Sequence, residues 1–375
     1  MKNSTFISAN RMMNTNKVNN ETYCVNINEN LIEQSIFDRP FNRSYNRTPF
    51  IPNDFHDIDG IFSIQSLGLI KRLTHIGCDK VVIGISGGLD STLALLVCIR
   101  AFDAMGIDRK GIIGITMPCF GTTKRTLNNS KELMECLGIT SYEIDITKAV
   151  EQHFKDIDHD PNKADITFEN CQARERTQVL MDMANKHNAI VIGTGDLSEL
   201  ALGWATYNGD HMSMYNVNVS IPKTLCIEMV SQSIISGYSY SAFKSTDEKV
   251  RDIISDICNT PISPELKPVD ENGELKQKTE NSIGPYELHD FFLYHMIRYG
   301  FAPNKVFMMA KNSFGKKYSD KEILKWLTTF IKRFFSQQFK RSCLPDGPKS
   351  VVYHCHLVAI GECQAMLLVK VGLRR

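Results

Sequence analysis

From Asp59 the apolar positions fall into a regular order. Ile61, Ile64, Leu67, Ile70 and Leu73 recur every third position, close to helical spacing. Lys80-Val81-Val82-Ile83-Gly84-Ile85 is then a continuous apolar run suited to a strand buried on both faces. A helix is expected from Asp90 to about Met105, a second strand over 111–117, and a helix over 129–137. A third strand over 142–146, a long helix over 172–187 and a fourth strand over 189–194 follow. This alternation predicts an α/β fold: a doubly wound parallel sheet covered by helices. After Ile221 the strand signals fade, and 225–257, 286–298 and 319–340 read as helices, giving a helical C-terminal part. Residues 260–283 form a polar stretch expected to be a mobile loop. Residues 1–57 differ from the rest: they are rich in Asn and Arg, and Pro40, Pro49 and Pro52 punctuate their end. They read as a linker or domain remnant with little core of its own.

Composition narrows the class without naming it. The chain has 375 residues, 42% hydrophobic and 23% charged, an ordinary globular composition with room for one large domain or two smaller ones. A net charge of +1 gives no electrostatic case for nucleic acid or an anionic membrane. No apolar run reaches the roughly 18 residues of a membrane span. The polar first twenty residues lack a signal-peptide core, so a cytoplasmic location is expected. The 11 scattered cysteines, without a Cys-x-x-Cys pair, read as reduced thiols.

Chemistry concentrates between the first strand and its helix, in Gly84-Ile85-Ser86-Gly87-Gly88-Leu89-Asp90-Ser91. Ligands in open α/β sheets bind at the carboxyl ends of strands. Paired glycines let the backbone approach an anion, and the free N–H groups of the next helix face it. Ser86 and Ser91 add hydroxyl donors. Asp90 would repel a phosphate unless a Mg²⁺ bridges the two. A ligand-free tight turn is the plain alternative. Gly84-Ile85-Ser86-Gly87-Gly88 also fits the hydrolase nucleophile elbow, but no oxyanion loop lies upstream, and the segment before the strand reads as a helix. Asp158-x-Asp160-x-Asn162 with Glu169 mimics a calcium loop, yet Lys163 stands where glycine is needed.

The Ser86–Ser91 loop resembles that of the PP-loop ATP pyrophosphatases. Four further segments resemble NAD synthetases: Glu169–Arg174, Gly193–Tyr207, Asp210–Asn216 leading to Pro222-Lys223-Thr224, and Gly284–Phe292. The resemblance runs from about residue 58 to Lys349 and is closest to the glutamine-dependent, two-domain kind. It implies ATP-dependent amidation of nicotinic acid adenine dinucleotide (deamido-NAD) through an acyl-adenylate, giving NAD, AMP and pyrophosphate. Residues 84–91 and Thr194 are then expected to bind ATP, Asp90 and Glu199 to bind Mg²⁺, and Lys223 to neutralise phosphate charge. Asn170, Glu199, Trp204, Asp210 and Lys349 are expected to hold deamido-NAD. For some of these a plain role is open: Trp204 as core, Asn170 as a helix N-cap, Lys223 as a solvated charge. The polar loop near 260–283 is a candidate lid. The family also implies a homodimer or higher homo-oligomer. Another PP-loop amidotransferase, or an inactive gene fragment that folds and binds nucleotide, are the competing readings.

Two departures from the family shape the domain expectations. The N-terminal glutaminase domain of the glutamine-dependent kind is not represented, so 1–57 reads as its linker and remnant, 58–349 as the synthetase domain, and ammonia as the nitrogen source. After Leu344-Pro345-Asp346-Gly347-Pro348-Lys349 the family ending gives way to an apolar, cysteine-bearing tail. Family codons read one base out of frame spell this tail over about eighteen positions: GAT-TGG-AGA-ATG-CCA-AGC so read gives Ile360-Gly361-Glu362-Cys363-Gln364. Residues 350–375 are therefore expected to be a frameshift product, and His354-Cys355-His356 an accident rather than a metal site. Truncation after Lys349 is expected to raise solubility and leave the melting temperature about the same; a large fall in thermal unfolding would sink the frameshift account, since removing a packed strand costs at least a few kcal/mol at ~25 cal/mol per Å².

Overall fold

The computed structural model describes residues 43–234, 248–262, 266–267 and 282–350. The chain divides into two compact units, Met1–Ser44 and Tyr45–Arg375, and the first lies almost wholly outside the described residues. The second therefore begins before the boundary at 57/58 that the sequence suggests. Its first residues have partners: Phe50 is buried with its ring 5.1 Å from that of Tyr294, and Arg47 Nε donates to Ser313 O at 2.6 Å.

The sheet follows the expected alternation. Helix α1 (Phe55–Ile76) starts at the N-cap Asp54, whose side chain accepts from His56 N, and stops at Gly77, which is left-handed at φ 65°. Strand β1 (Val81–Gly84), helix α2 (Leu89–Met105), strand β2 (Ile112–Thr116), helix α3 (Lys124–Cys136) and strand β3 (Thr140–Glu143) follow. Then come α4 (Thr147–Asp156), α5 (Ile166–His187), β4 (Ile190–Gly193), α6 (Leu197–Leu202), β5 (Tyr215–Asn216) and α7 (Lys223–Gln232). The strand order is β3-β2-β1-β4-β5, every pairing parallel. The apolar run of β1 serves two cores. Val81 and Ile83 pack with α1 and α2 residues such as Leu69, Leu73 and Phe102, while Val82 packs on the other face with Ile113, Phe154 and Phe168. A strand buried on both faces reads as a continuous apolar stretch for this reason.

Helix α8 (Glu248–Cys258) follows α7, so the single helix expected over 225–257 is two. The C-terminal part holds α9 (Tyr286–Leu293), continued by a π-turn Tyr294–Arg298, then α10 (Pro303–Phe314), α11 (Asp320–Ser336) and a 3₁₀ turn Gln338–Cys343. It builds a third core around Phe291, Phe292, Phe314, Phe330 and Phe334. Most of the expected lid, and the tail from 351, lie outside the described residues. Eight described cysteines are free thiols, four of them buried. No helix among the described residues is long and apolar enough to cross a membrane.

Ile83 is fully buried in the central strand. Ile83→Ala is expected to cost about 2–5 kcal/mol in urea unfolding; a loss below about 1 kcal/mol would mean that this face of the sheet is not the core it is taken for.

Candidate active site

In the order β3-β2-β1-β4-β5 the chain leaves β1 toward one edge and reaches β4 on its other side. The two connections diverge, and a crevice opens beyond the strand ends. Two loops meet there. After β1, Gly87 turns at φ 81°, and a Cβ on it would stand 2.2 Å from Thr126 O, so only glycine fits. Ser86 Oγ accepts from Gly88 N at 3.2 Å and lies 3.1 Å from Ser91 Oγ. Helix α2 has Gly88 as its N-cap with no capping side chain, which leaves first-turn amides for an anion.

After β4, Asp196 caps α6: its Oδ1 accepts from Ser198 N at 2.7 Å and Glu199 N at 2.9 Å. Between the two loops sits the Lys223 ammonium, fully buried at the first position of α7. Nζ lies 2.6 Å from Asp90 Oδ2, 2.6 Å from Asp196 Oδ2 and 3.0 Å from Glu199 Oε1, and 5.3 Å from the centre of the Tyr286 ring. Burial works against the charge on Lys223, but the carboxylates outweigh it and raise its proton affinity. Burial pushes Asp196 up to about 7, with Asp90 adding to the rise and Lys223 opposing it. Glu199 rises well above the usual carboxylate range by the same burial, again against the pull of Lys223.

Long-range contacts hold this cluster. Helix α7 has Pro222 as its N-cap and no capping side chain of its own. Asp290 of α9 supplies the cap from another segment: Oδ2 accepts from Thr224 N at 2.9 Å, and Oδ1 accepts from Ser198 Oγ. Ser198 Oγ in turn accepts from Lys223 N at 2.8 Å. Asn218 Nδ2 donates to Asp90 O at 2.9 Å and Thr194 O at 3.1 Å, tying the two loops together. A cavity of about 700 Å³ opens over the cluster.

Residues 62–235 match the family model described as NAD synthase. The chain contains an NAD synthase domain. It is 43% identical over 333 residues to the glutamine-dependent NAD(+) synthetase of Mycobacterium leprae, covering 82% of this chain and 48% of the relative. It is 34% identical over 156 residues to the NH(3)-dependent NAD(+) synthetase of Fusobacterium nucleatum, covering 42% of this chain and 57% of the relative. The chain thus spans about half the length of the curated relatives it matches. A glutamine-dependent NAD(+) synthetase from Cytophaga hutchinsonii shares its fold with a TM-score of 0.61 at 17% identity, over 85% of this chain and 56% of that one.

In this NAD synthase domain the cavity is lined by Gly84, Ile85, Ser86, Gly88, Leu89, Asp90, Ser91, Asn170, Thr194, Glu199, Trp204, Asp210 and Lys223. Two residues expected at the site stand apart. Gly87 lies under the loop against Thr126, where it shapes the turn. Lys349 is exposed and does not line the cavity. Its segment runs beside β5, where Asn216 N donates to Asp346 O at 2.8 Å and Ser350 N donates to Ser220 Oγ at 2.9 Å. The plain alternatives also resolve. Lys223 is no solvated charge. Asn170 is not an N-cap, because α5 begins earlier at its own cap Asp165; Asn170 Oδ1 accepts from Thr206 Oγ1 at 2.9 Å. Trp204 is half-buried under the Arg333 guanidinium, 5.1 Å away, at the cavity wall.

Sequence reasoning missed Asp196, Asn218, Asp290, Arg333 and Lys340. Asp196 lies within Gly193–Tyr207, three residues before Glu199, and that spacing is its signal. Among the described residues, one group of three His, Cys, Asp or Glu side chains brings ligand atoms within 4.8 Å of one another: Asp90, Asp196 and Glu199. The calcium-like run at 158–169 forms no such group; Asp160 Oδ1 accepts from Asn162 N in a local turn.

Gly87→Ala forces a Cβ onto the Thr126 carbonyl at a left-handed backbone position. It is expected to weaken binding of a fluorescent ATP analogue at least tenfold. Wild-type affinity in a folded variant would show that the loop is not the phosphate seat.

Proposed function

We propose that this chain is an NAD synthetase that amidates deamido-NAD with ammonia at the expense of ATP. The observation that carries the reading is the convergence, in one cavity, of an uncapped helix N-terminus, three carboxylates around a buried lysine, and the 204–210 segment.

The donor set suits Mg²⁺. It offers hard carboxylate oxygens, and the buried Asp196 Oδ2 has the Lys223 ammonium at 2.6 Å but no well-angled hydrogen bond. Asp90 and Glu199 are the partly exposed pair, at 24% and 22%, and are assigned the metal. A bound Mg²⁺ would supply charge neutralisation on the polyphosphate. The amides of α2 and the hydroxyls of Ser86 and Ser91 hold the phosphates, with Thr194 at the end of β4 contacting ATP. Asn170, Glu199, Trp204 and Asp210 hold deamido-NAD, with Arg333 stacked on Trp204 and Lys340 donating to Gly203 O and Ala205 O at 2.9 and 2.6 Å.

A carboxylate is a poor electrophile, because its leaving group would be oxide. Its attack on the α-phosphorus of ATP expels pyrophosphate and forms a mixed anhydride. Ammonia then attacks the acyl carbon, AMP leaves, and the nitrogen sheds a proton to give the amide. Positioning and charge neutralisation, here by Lys223 and the loop amides, carry most of such a catalysis. A cytoplasmic location and a homo-oligomeric state belong to this proposal as well, as does the domain reading with residues 350–375 outside the working unit. Free ammonia as donor is part of this proposal: a relative named for ammonia dependence matches 42% of this chain, and one named for glutamine dependence matches 82%.

The purified chain is expected to make NAD from deamido-NAD, ATP, Mg²⁺ and ammonium chloride, and none from glutamine. NAD formed from glutamine by this chain alone would refute the ammonia assignment. Asp90→Asn and Glu199→Gln are each expected to lower turnover at least a hundredfold; unchanged rate and unchanged Mg²⁺ dependence in either would remove it from the metal site.

A further inference from the structure

The cluster poses a conflict that the metal assignment leaves open. An ammonium has three N–H donors. Lys223 Nζ donates to Asp90 Oδ2 at 2.6 Å and Glu199 Oε1 at 3.0 Å, and pairs by charge with Asp196 Oδ2 at 2.6 Å. Two of those oxygens, Asp90 Oδ2 and Glu199 Oε1, belong to the partly exposed carboxylates at the cavity wall. The third belongs to Asp196, as fully buried as the lysine itself and fixed by its capping bonds to Ser198 N and Glu199 N. The backbone of Lys223 is fixed too, through Ser198 Oγ and the Asp290 cap on Thr224.

We propose that the Lys223 ammonium is a resident counter-ion that competes with a divalent cation for Asp90 and Glu199, while Asp196 is the positioning residue that keeps the ammonium there. This rests on the reading above that Asp90 and Glu199 hold the metal. Mg²⁺ binds oxygen at about 2.0–2.1 Å. A divalent cation on these two oxygens would stand within a few Å of the ammonium that already donates to them, and the two cations repel at that range, so metal entry there weakens the Lys223 contacts to Asp90 and Glu199. A polyphosphate in the adjoining loop offers replacements. The protein alone therefore binds metal weakly, and nucleotide and metal bind with positive coupling. In the ligand-free protein the ammonium keeps the carboxylates from repelling one another.

The test uses the full chain without nucleotide and Mn²⁺ as probe, with free Mn²⁺ read by electron paramagnetic resonance. Lys223→Met is expected to tighten Mn²⁺ binding at least tenfold over wild type. Lys340→Met removes an equal charge from the same cavity without touching the three carboxylates, and is expected to change the affinity less than threefold. A Lys223→Met gain under tenfold, or one matched by Lys340→Met, overturns the competition and leaves the metal assignment standing. Mn²⁺ binding to neither wild type nor Lys223→Met, with ATP present or absent, overturns the metal assignment and the competition with it. Should Lys223→Met fail to fold, ¹⁵N-lysine-labelled wild type decides. The buried ammonium gives a slowly exchanging Nζ signal, which saturating Mg²⁺ is expected to shift and broaden; a signal unmoved by Mg²⁺ overturns the proposal.

Discussion

One buried ammonium sets the terms for the site. Lys223 stands at the first position of α7, the end of a helix where the dipole repels a cation. It is also fully desolvated. Both effects oppose its charge, and only the surrounding carboxylates reverse the sign. Those carboxylates have the opposite preference: Asp90 and Glu199 lie in the first turns of α2 and α6, and Asp196 caps α6. Three helix N-termini thus point at one spot, and the charges on them are arranged so that each relieves another. Removing one partner from such a buried set leaves an uncompensated charge, which costs about 3–5 kcal/mol. The strand ends, the capping bonds and the Asn218 bridge all have to fall in register for the set to exist.

Sheet topology makes that register possible. The loops after β1 and β4 are far apart in sequence but adjacent in space, because the strand order reverses between them. The direct pairing of β4 with β1 brings Asp196 and Glu199 within reach of the lysine that also meets Asp90. The central strands therefore carry function as well as stability: shifting β1 against β4 by one residue would exchange Ile83 and Val82 between the two cores and move the phosphate loop with them.

What the sequence revealed follows from how local each signal was. The loop at 84–91 was readable because its glycines, hydroxyls and carboxylate combine in six residues that a plain turn does not need. Strands β1, β2 and β4 were readable as apolar runs. The edge strand β3 was misplaced: its residues Thr140, Ser141, Tyr142 and Glu143 are polar and largely exposed, and the apolar Ile144 and Ile146 drew the expected strand past its end. Helix α4 escaped notice because only Val150 and Phe154 are buried in it. Asp196 was hidden by its dual role, since an Asp before a helix reads as a cap and needs no further explanation. Asp290 lies in the Gly284–Phe292 segment, but nothing local there shows its role. Its partners lie 66 and 92 residues away, and no periodicity encodes a cap supplied from another helix.

That distant cap explains why the domain cannot be understood from its sheet alone. The match to the family model ends at residue 235, yet the cavity wall does not. Arg333 of α11 donates through Nε to Leu202 O at 2.9 Å and stacks over Trp204, and Lys340 holds the carbonyls of Gly203 and Ala205. These bonds fix the segment that carries Trp204 and leads to Thr206, where Asn170 and Asp210 take over. Asp290 meanwhile fixes the start of α7. The third core, with its aromatic packing around Phe291, Phe292 and Phe330, underlies the helices α9 and α11 that carry Asp290 and Arg333, and Lys340 stands in the turn that follows α11. A sheet edge would leave the 200–210 segment as a loop with unpaired carbonyls beside a cluster of like charges. The helical part satisfies those carbonyls with cations and caps the helix that begins at Lys223 with a carboxylate on Thr224 N, so the electrostatics of the site are completed from outside the fold that generates it.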